Sequence, residues 1–448
     1  MNNRNNVRRG ISRRGFLKTS ALAGAGLGIS SAGLGLHAQA AQRKITFSGW
    51  AWQPGNVEKN VNRFNEQNPD IKVEYQPLDL QLYNEKMVAL FNAGGEPDCF
   101  YTRDINLGAW VEAGWLQPVD GMPGLKELNA DIYPYNREAL FYKGKQYGTP
   151  YYGDIYLYIY DKKALNKAGV SKAPVTLEDL KQAALAVKKA GIEKYPILHG
   201  FKTNVDGLDE FWSMVYSSGG HLFDEELNPV YPDKDKTALH VLEWQLQAMY
   251  DWKISDPKGL ELDETQARDV FLSGQGTFGS FVGNVFPRSN NPKFSKRAGD
   301  IRQMKFPGLQ DVGNGPMGWT RLYCMGARTK EREAAWRLMY YMGGKDKTGA
   351  YYTAKDWYIN FGVGYCFMSL DKDPDIIKTQ IASKWEFDIR SHQFGNAKAR
   401  ENIKAPWYNE WDRFTQQQIQ DVLIKRVKPR EALLASAKKA RALKKEWS

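Results

Sequence analysis

Reactive side chains are scarce in this sequence. Its 448 residues include three cysteines and five histidines. Cys99, Cys324 and Cys366 form an odd set without metal-ligand spacing, so nothing points to a zinc site. Cys99 and Cys324 lie in apolar, strand-like runs and read as buried thiols, and a disulfide framework is unnecessary, although one pair could still close. The histidines beyond residue 40 (His199, His221, His240 and His392) are not spaced as ligands. There is no G-x-S-x-G elbow, no H-E-x-x-H, no P-loop and no C-x-x-C. Two strings match a dinucleotide fingerprint by letters, Gly274 to Gly279 and Gly313 to Gly318. The first leaves a helix for a strand, the reverse of the required order, and the second carries a proline inside its turn. Neither is retained, and no cofactor or metal is expected.

Positive charge looks abundant but is localised. The formal charge is +11, and Arg4, Arg8, Arg9, Arg13, Arg14 and Lys18 place six of those charges in residues 1–40, which contain no acid. Subtracting those six from +11 leaves +5 for the remainder, too little for a nucleic-acid surface on a chain this long. Within the leader, Ser12-Arg13-Arg14-Gly15-Phe16-Leu17-Lys18 is a twin-arginine pattern. A Gly- and Ala-rich run follows, and Ala38-Gln39-Ala40 offers a cleavage site. Glycines and polar residues make that run a poor membrane anchor. Residues 1–40 are therefore expected to be a twin-arginine signal peptide, delivering a soluble protein to the periplasm.

The rest of the chain has ample core-forming material. It is 42% hydrophobic, with 14 Trp, 24 Tyr and 20 Phe, and too long for one core, which suits two lobes of roughly 150–200 residues. From residue 44 strands alternate with helices: strand 44–50, helix 56–67, strand 71–75, helix 82–93 with Leu82, Met87, Leu90 and Phe91 inward, strand 97–101. This pattern predicts an α/β protein with mostly parallel sheets flanked by helices. Ligands of such sheets sit past the carboxyl ends of strands. Trp50, Trp52, Arg103 and Asp104 occupy those ends, the last two in an expected loop at 102–104. The alternative is core tryptophans and a local Arg103–Asp104 ion pair. At 146–149 a short strand should end or be displaced to an edge at Pro150. The aromatic and β-branched run 152–160 reads as a strand buried on both faces. Residues 150–155 between them are taken as the first of three interlobe crossings, which makes Tyr152 and Asp154 ligand candidates. Phe278 to Asn284 reads as a strand running into a tight turn, with Asn284 a further candidate.

These segments resemble a known family. Ile45 to Trp50, Phe64 to Val73, Gly95 to Asp98, Ala113 to Pro118, Gly144 to Tyr151 and Tyr158 to Leu165 look like family-1 extracellular solute-binding proteins. Those are the sugar-capturing receptors of ABC importers, related to maltose-binding protein, and the resemblance covers nearly all of residues 44–440. It implies a two-lobed periplasmic-binding-protein fold, with residues 41–152 plus 318–370 in the first lobe and 153–317 plus 371–448 in the second. It also implies that the helix start at Asp209 supplies an acid and an aromatic, Asp209 and Trp212. A Gly-Trp loop at the second crossing should touch ligand, which nominates Trp319 and, beside it, Arg321; a core Trp beside a paired Arg is the alternative. The closing helix pair would bring Trp411 near the cleft. The implied partners are a carbohydrate and the permease subunits of an ABC importer, with the receptor a monomer.

Two other readings share these residues. Asp104, Asp154 and Asp209 could converge as the carboxylates of a glycosidase, although a receptor also needs acids there to accept from sugar hydroxyls. Arg103 and Arg321 could clamp a uronate or a sulfonated sugar. The leader yields the most direct test: replacing Arg13 and Arg14 by lysine together should strand folded precursor in the cytoplasm. Fractionation that still finds the double variant in the periplasm would refute twin-arginine export.

Overall fold

One strand is shared by both halves of the sheet. In the computed structural model, which describes residues 42–80, 82–203 and 208–447, the strands in chain order are β1 (Arg43–Trp50), β2 (Ile71–Leu78), β3 (Cys99–Arg103), β4 (Phe141–Tyr142), β5 (Lys145–Gln146), β6 (Gly148–Asp161), β7 (Ile197–Leu198), β8 (Phe278–Val282), β9 (Ile301–Met304) and β10 (Gly318–Met325). β4 and β5 form a separate hairpin, and the others make one sheet in the order β2-β1-β3-β10-β6-β8-β7, with β9 also on β6. The leader, residues 1–40, lies outside the described residues.

β6 is 14 residues long. Its first part, Gly148 to Ile155, pairs with β10, whereas Tyr156 to Tyr160 pairs with β8 and Tyr158 to Asp161 with β9. Tyr152 to Tyr160 was expected to be buried on both faces, and the alternation shows how. Ile155, Leu157 and Ile159 enter one apolar core, and Tyr156, Tyr158 and Tyr160 enter another. The first core carries Phe47, Tyr101, Tyr151 and Tyr323; the second gathers helices Leu177–Lys189, Asp209–Ser217, Thr237–Tyr250, Tyr408–Leu423 and Pro429–Trp447.

Several expectations are corrected here. Pro150 does not end a strand: β6 runs through it, and the register against β10 slips between Arg321 and Leu322. That irregularity leaves Tyr151 without a partner and accommodates a residue that cannot donate. The sheet is mixed, not mostly parallel: β1 is parallel to β2 and β3 and β7 to β8, but β10 is antiparallel to β3 and β6, and β6 is antiparallel to β8 and β9. Leu82 is 46% exposed, and Tyr83 fills the inward place. No loop follows β3, because Asp104 opens helix Asp104–Glu112 directly. Gly318 and Trp319 likewise start β10 and are not in a loop.

Thr176 and Asp179 form a reciprocal capping box at the start of helix Leu177–Lys189. Cys99, Cys324 and Cys366 are free and buried. Among the described residues no helix is long and apolar enough to cross a membrane, and no His, Cys, Asp and Glu group is placed to hold a metal ion.

Candidate functional site

The sheet's periodicity assembles the first wall. Asp154 stands opposite Trp319, and Arg321 stands opposite Tyr152 on one side and Arg103 on the other. Because alternate residues of a strand share a face, Tyr152 and Asp154 on β6, Trp319 and Arg321 on β10 and Arg103 on β3 fall on one patch. Trp50, at the end of β1, and Trp52 just beyond it extend the patch. The patch lines a cavity of about 260 Å³. Opposite stand Asp209 at the start of its helix, Asn284 after β8, and Glu264 and Arg268 on helix Glu264–Leu272.

The cavity is aromatic in its walls and polar between them. Trp50 packs against Tyr83, Tyr101 and Tyr151, with centroids 5.3, 4.8 and 5.8 Å away. Trp52 is half-buried and stacked on Trp357 at 5.5 Å and 17°. Trp319 is 5% exposed, edge-on to Tyr156 at 5.9 Å. Each ring is thus held from behind, and such fixed rings lose little rotamer entropy when a ligand covers them.

The charges are held just as firmly. Asp104 accepts from the Thr320 backbone N–H at 2.7 Å and from Arg321 Nη1 at 3.3 Å, which fixes the guanidinium against the strand. Buried Asp209 is ion-paired to buried Arg400. Asp154 is 4% exposed and has no such cation in contact among the described residues: its Oδ1 accepts from its own neighbour, Ile155 N, at 2.9 Å. Burial therefore pushes its carboxyl up to about 7, against the smaller opposing pull of the Ile155 and Asn284 amides and the charge of Arg390. Gly283 presses on this carboxyl so closely that it has no room for a Cβ, and a Cβ at Gly364 would meet the neighbouring Gly153 carbonyl oxygen.

Nine of the twelve residues nominated from sequence line this cavity: Trp50, Trp52, Arg103, Tyr152, Asp154, Asp209, Asn284, Trp319 and Arg321. Three do not. Asp104 lies beneath and is ion-paired across the sheet to Arg321. Trp212 and Trp411 are fully buried in the second core, edge to face at 6.0 Å, with Trp411 Nε1 donating to Tyr231 Oη at 3.0 Å. Both project from the core side of their helices, so they support the wall without reaching it. Sequence reading missed Glu264 and Arg268, which share a helix face at i and i+4. Asp263 caps that helix, and an acid–base pair in its first two turns was the available signal.

The position of Asp154 makes ligand-free stability depend on pH. Between the usual carboxylate value and about 7 the folded state keeps a proton that the unfolded chain has released, so stability falls as pH rises through that window. The shift corresponds to at most about 4 kcal/mol at 1.36 kcal/mol per unit. Asp154→Asn should flatten the melting temperature between pH 4 and 7 and raise it at pH 8. Calorimetry showing the wild-type slope in the variant would place that proton elsewhere.

With this geometry in hand, the chain can be compared with known proteins. The family model described as "Bacterial extracellular solute-binding protein" matches residues 51–348. The maltotriose-binding protein of Pyrococcus abyssi is 27% identical over 281 residues, 60% of this chain and 55% of that protein, so the chain matches about half the length of that relative. A Brucella abortus binding protein is 22% identical over 427 residues, 94% of this chain and 97% of its own. The fold is that of the maltose-bound T. maritima MalE3 structure, with TM-score 0.75 and 21% identity, covering 89% of this chain and 99% of that one.

Proposed function

Because the chain belongs to the bacterial extracellular solute-binding protein family, we propose that it is a carbohydrate receptor which closes two lobes around its ligand and hands it to an ABC importer. One observation carries the reading. Aromatic rings on one wall, Trp50 and Trp319, and polar groups from elsewhere in the chain, Asp209 and Asn284, line one cavity together with the guanidinium of Arg321. Rings cover the apolar face of a sugar and directed polar groups meet its hydroxyls. The similarity to a protein named for maltotriose supports the same ligand class.

In this reading residues 41–152 with 318–370 form one lobe and 153–317 with 371–448 the other, crossing near Asp154. The receptor is monomeric, works in the periplasm after twin-arginine export, has no nucleic-acid partner, and meets only its sugar and the permease. A screen of mono- and oligosaccharides, polyols and uronates by thermal shift tests it, since only a ligand of the folded state raises the melting temperature. Failure of every compound to do so would refute the carbohydrate assignment.

A second reading has one observation behind it. A carboxyl raised to about 7 in the same cavity as an ion-paired Asp209 is also the division of labour between a glycosidase's acid and base. A glycosidase would release reducing ends from an oligosaccharide that a receptor returns unchanged.

Two further outcomes are expected. Closure should shorten the radius of gyration in small-angle scattering at saturating ligand, on a microsecond-to-millisecond hinge; an unchanged radius would indicate a rigid pocket. The second concerns Trp319. A micromolar dissociation constant corresponds to about −8 kcal/mol, and hydrogen bonds exchanged with water contribute only ~1 kcal/mol each. Ring contacts must supply much of the remainder. Trp319→Ala should weaken binding by the folded fraction at least tenfold, beyond the stability loss expected for a ring only 5% exposed. A loss of about 3–5 kcal/mol in stability, with normal binding by the folded fraction, would make Trp319 a core residue instead.

A further inference from the structure

A second, larger space of about 740 Å³ adjoins the cavity, and Trp52 and Asn284 line both. One side of this outer groove is the short helix Val285–Ser289 and the loop after it, the other is the end of helix Tyr352–Phe361, and helix Pro374–Ala382 closes the floor. The inner cavity is sized for about one sugar ring, whereas the outer space lies in the range that holds a drug-sized ligand.

Three features of the groove are not explained by folding. Phe294 is 51% exposed and Ile359 38%, large apolar surfaces left open on one recess. None of the described residues lining it is an Asp or Glu, and its one ionised side chain is Arg288. The Arg288 guanidinium lies 5.0 Å from the Phe294 ring centroid and makes no hydrogen bond or ion pair among the described residues. Half-burial pushes its pKa down, and the nearby charge of Arg268 pushes the same way, only partly offset by Asp269 and Glu264. A cation in that position gains from an anionic partner. The carboxamide of Asn284 likewise makes no side-chain hydrogen bond among the described residues and stands where the two spaces join.

We propose that the outer groove is a second subsite that takes an acidic sugar unit, its carboxylate on Arg288 and its ring over Phe294, from an oligosaccharide whose inner unit fills the cavity. The inference rests on the carbohydrate-receptor reading and narrows it from sugars in general to acidic oligosaccharides. A carboxylate fits better than a phosphate: one guanidinium meets a carboxylate bidentately and neutralises it, whereas a phosphate monoester dianion would remain half-compensated in a groove with no second cation.

Isothermal titration with oligouronates of two to four units from pectin, alginate and glucuronoxylan tests this. Each is compared with the neutral oligosaccharide of equal length, the uronate monomer and a sugar phosphate. At least one acidic oligomer should bind at least tenfold more tightly than all three counterparts. Arg288→Gln should bring the acidic-to-neutral ratio close to one without moving the ligand-free melting temperature, and Arg288→Lys should restore part of it. Phe294→Ala should weaken the oligomer but not the monomer. A tightest ligand that is monomeric, neutral or phosphorylated, or an unchanged ratio in Arg288→Gln, overturns the subsite and leaves the carbohydrate receptor standing. If no saccharide or polyol binds the wild-type protein, both readings fall.

Discussion

Everything in this structure depends on one strand belonging to two half-sheets. β6 gives its first eight residues to β10 and the rest to β8 and β9, with no break between. A shared strand fixes the distance between the two sides at the level of covalent bonds while leaving torsions at the changeover free to move. Close backbone contact sharpens the constraint. A Cβ at Gly153 would meet Asn136, one at Gly364 the Gly153 carbonyl oxygen, and one at Gly283 the Asp154 carboxyl. Gly153, Gly283 and Gly364, distant in sequence, thus crowd around the Asp154 carboxyl, whose pKa burial pushes up to about 7.

The electrostatics follow a consistent plan. Burying a charge is expensive, and removing one member of a buried pair is worse. Here Arg321 is held by Asp104 and Asp209 by Arg400, each pair joining elements far apart in sequence. The groups presented to the cavity are therefore preset before any ligand arrives, which lowers the ordering cost of binding. Asp154 departs from that plan, and its raised pKa is the physical consequence. Arg288 departs from it in the outer groove, where the guanidinium rests on the Phe294 ring with no acid against it among the described residues.

Much of this was legible in the order of residues, and the failures have physical causes. Strand–helix alternation located β1, β2 and β3, and the ends of these strands nominated Trp50, Trp52 and Arg103, all of which line the cavity. The punctuation around Pro150, Gly153 and Asp154 marked the changeover, although the strand continues through it because a register slip absorbs the missing N–H. Pairing direction was not legible, since strand composition does not reveal whether the chain returns parallel or antiparallel. Trp212 and Trp411 were nominated by a resemblance that carries positions but not side-chain direction; a rotation of one helical step separates wall from core. Glu264 and Arg268 were missed for the converse reason: a charged i, i+4 pair reads as solvated surface until another element closes over it.

The buried thiols have a practical corollary. Cys99, Cys324 and Cys366 are the chain's only cysteines, each is sealed in the first core, and burial raises every one of their pKa values. Without thiolate there is no nucleophile, so the native surface is silent towards maleimides and iodoacetamides. A single cysteine introduced at the rim of the outer groove would be the one labelling position on an otherwise unmodified molecule. A solvent-sensitive dye attached there would turn occupancy of the cleft into a fluorescence signal, with no cysteine-free background to engineer first.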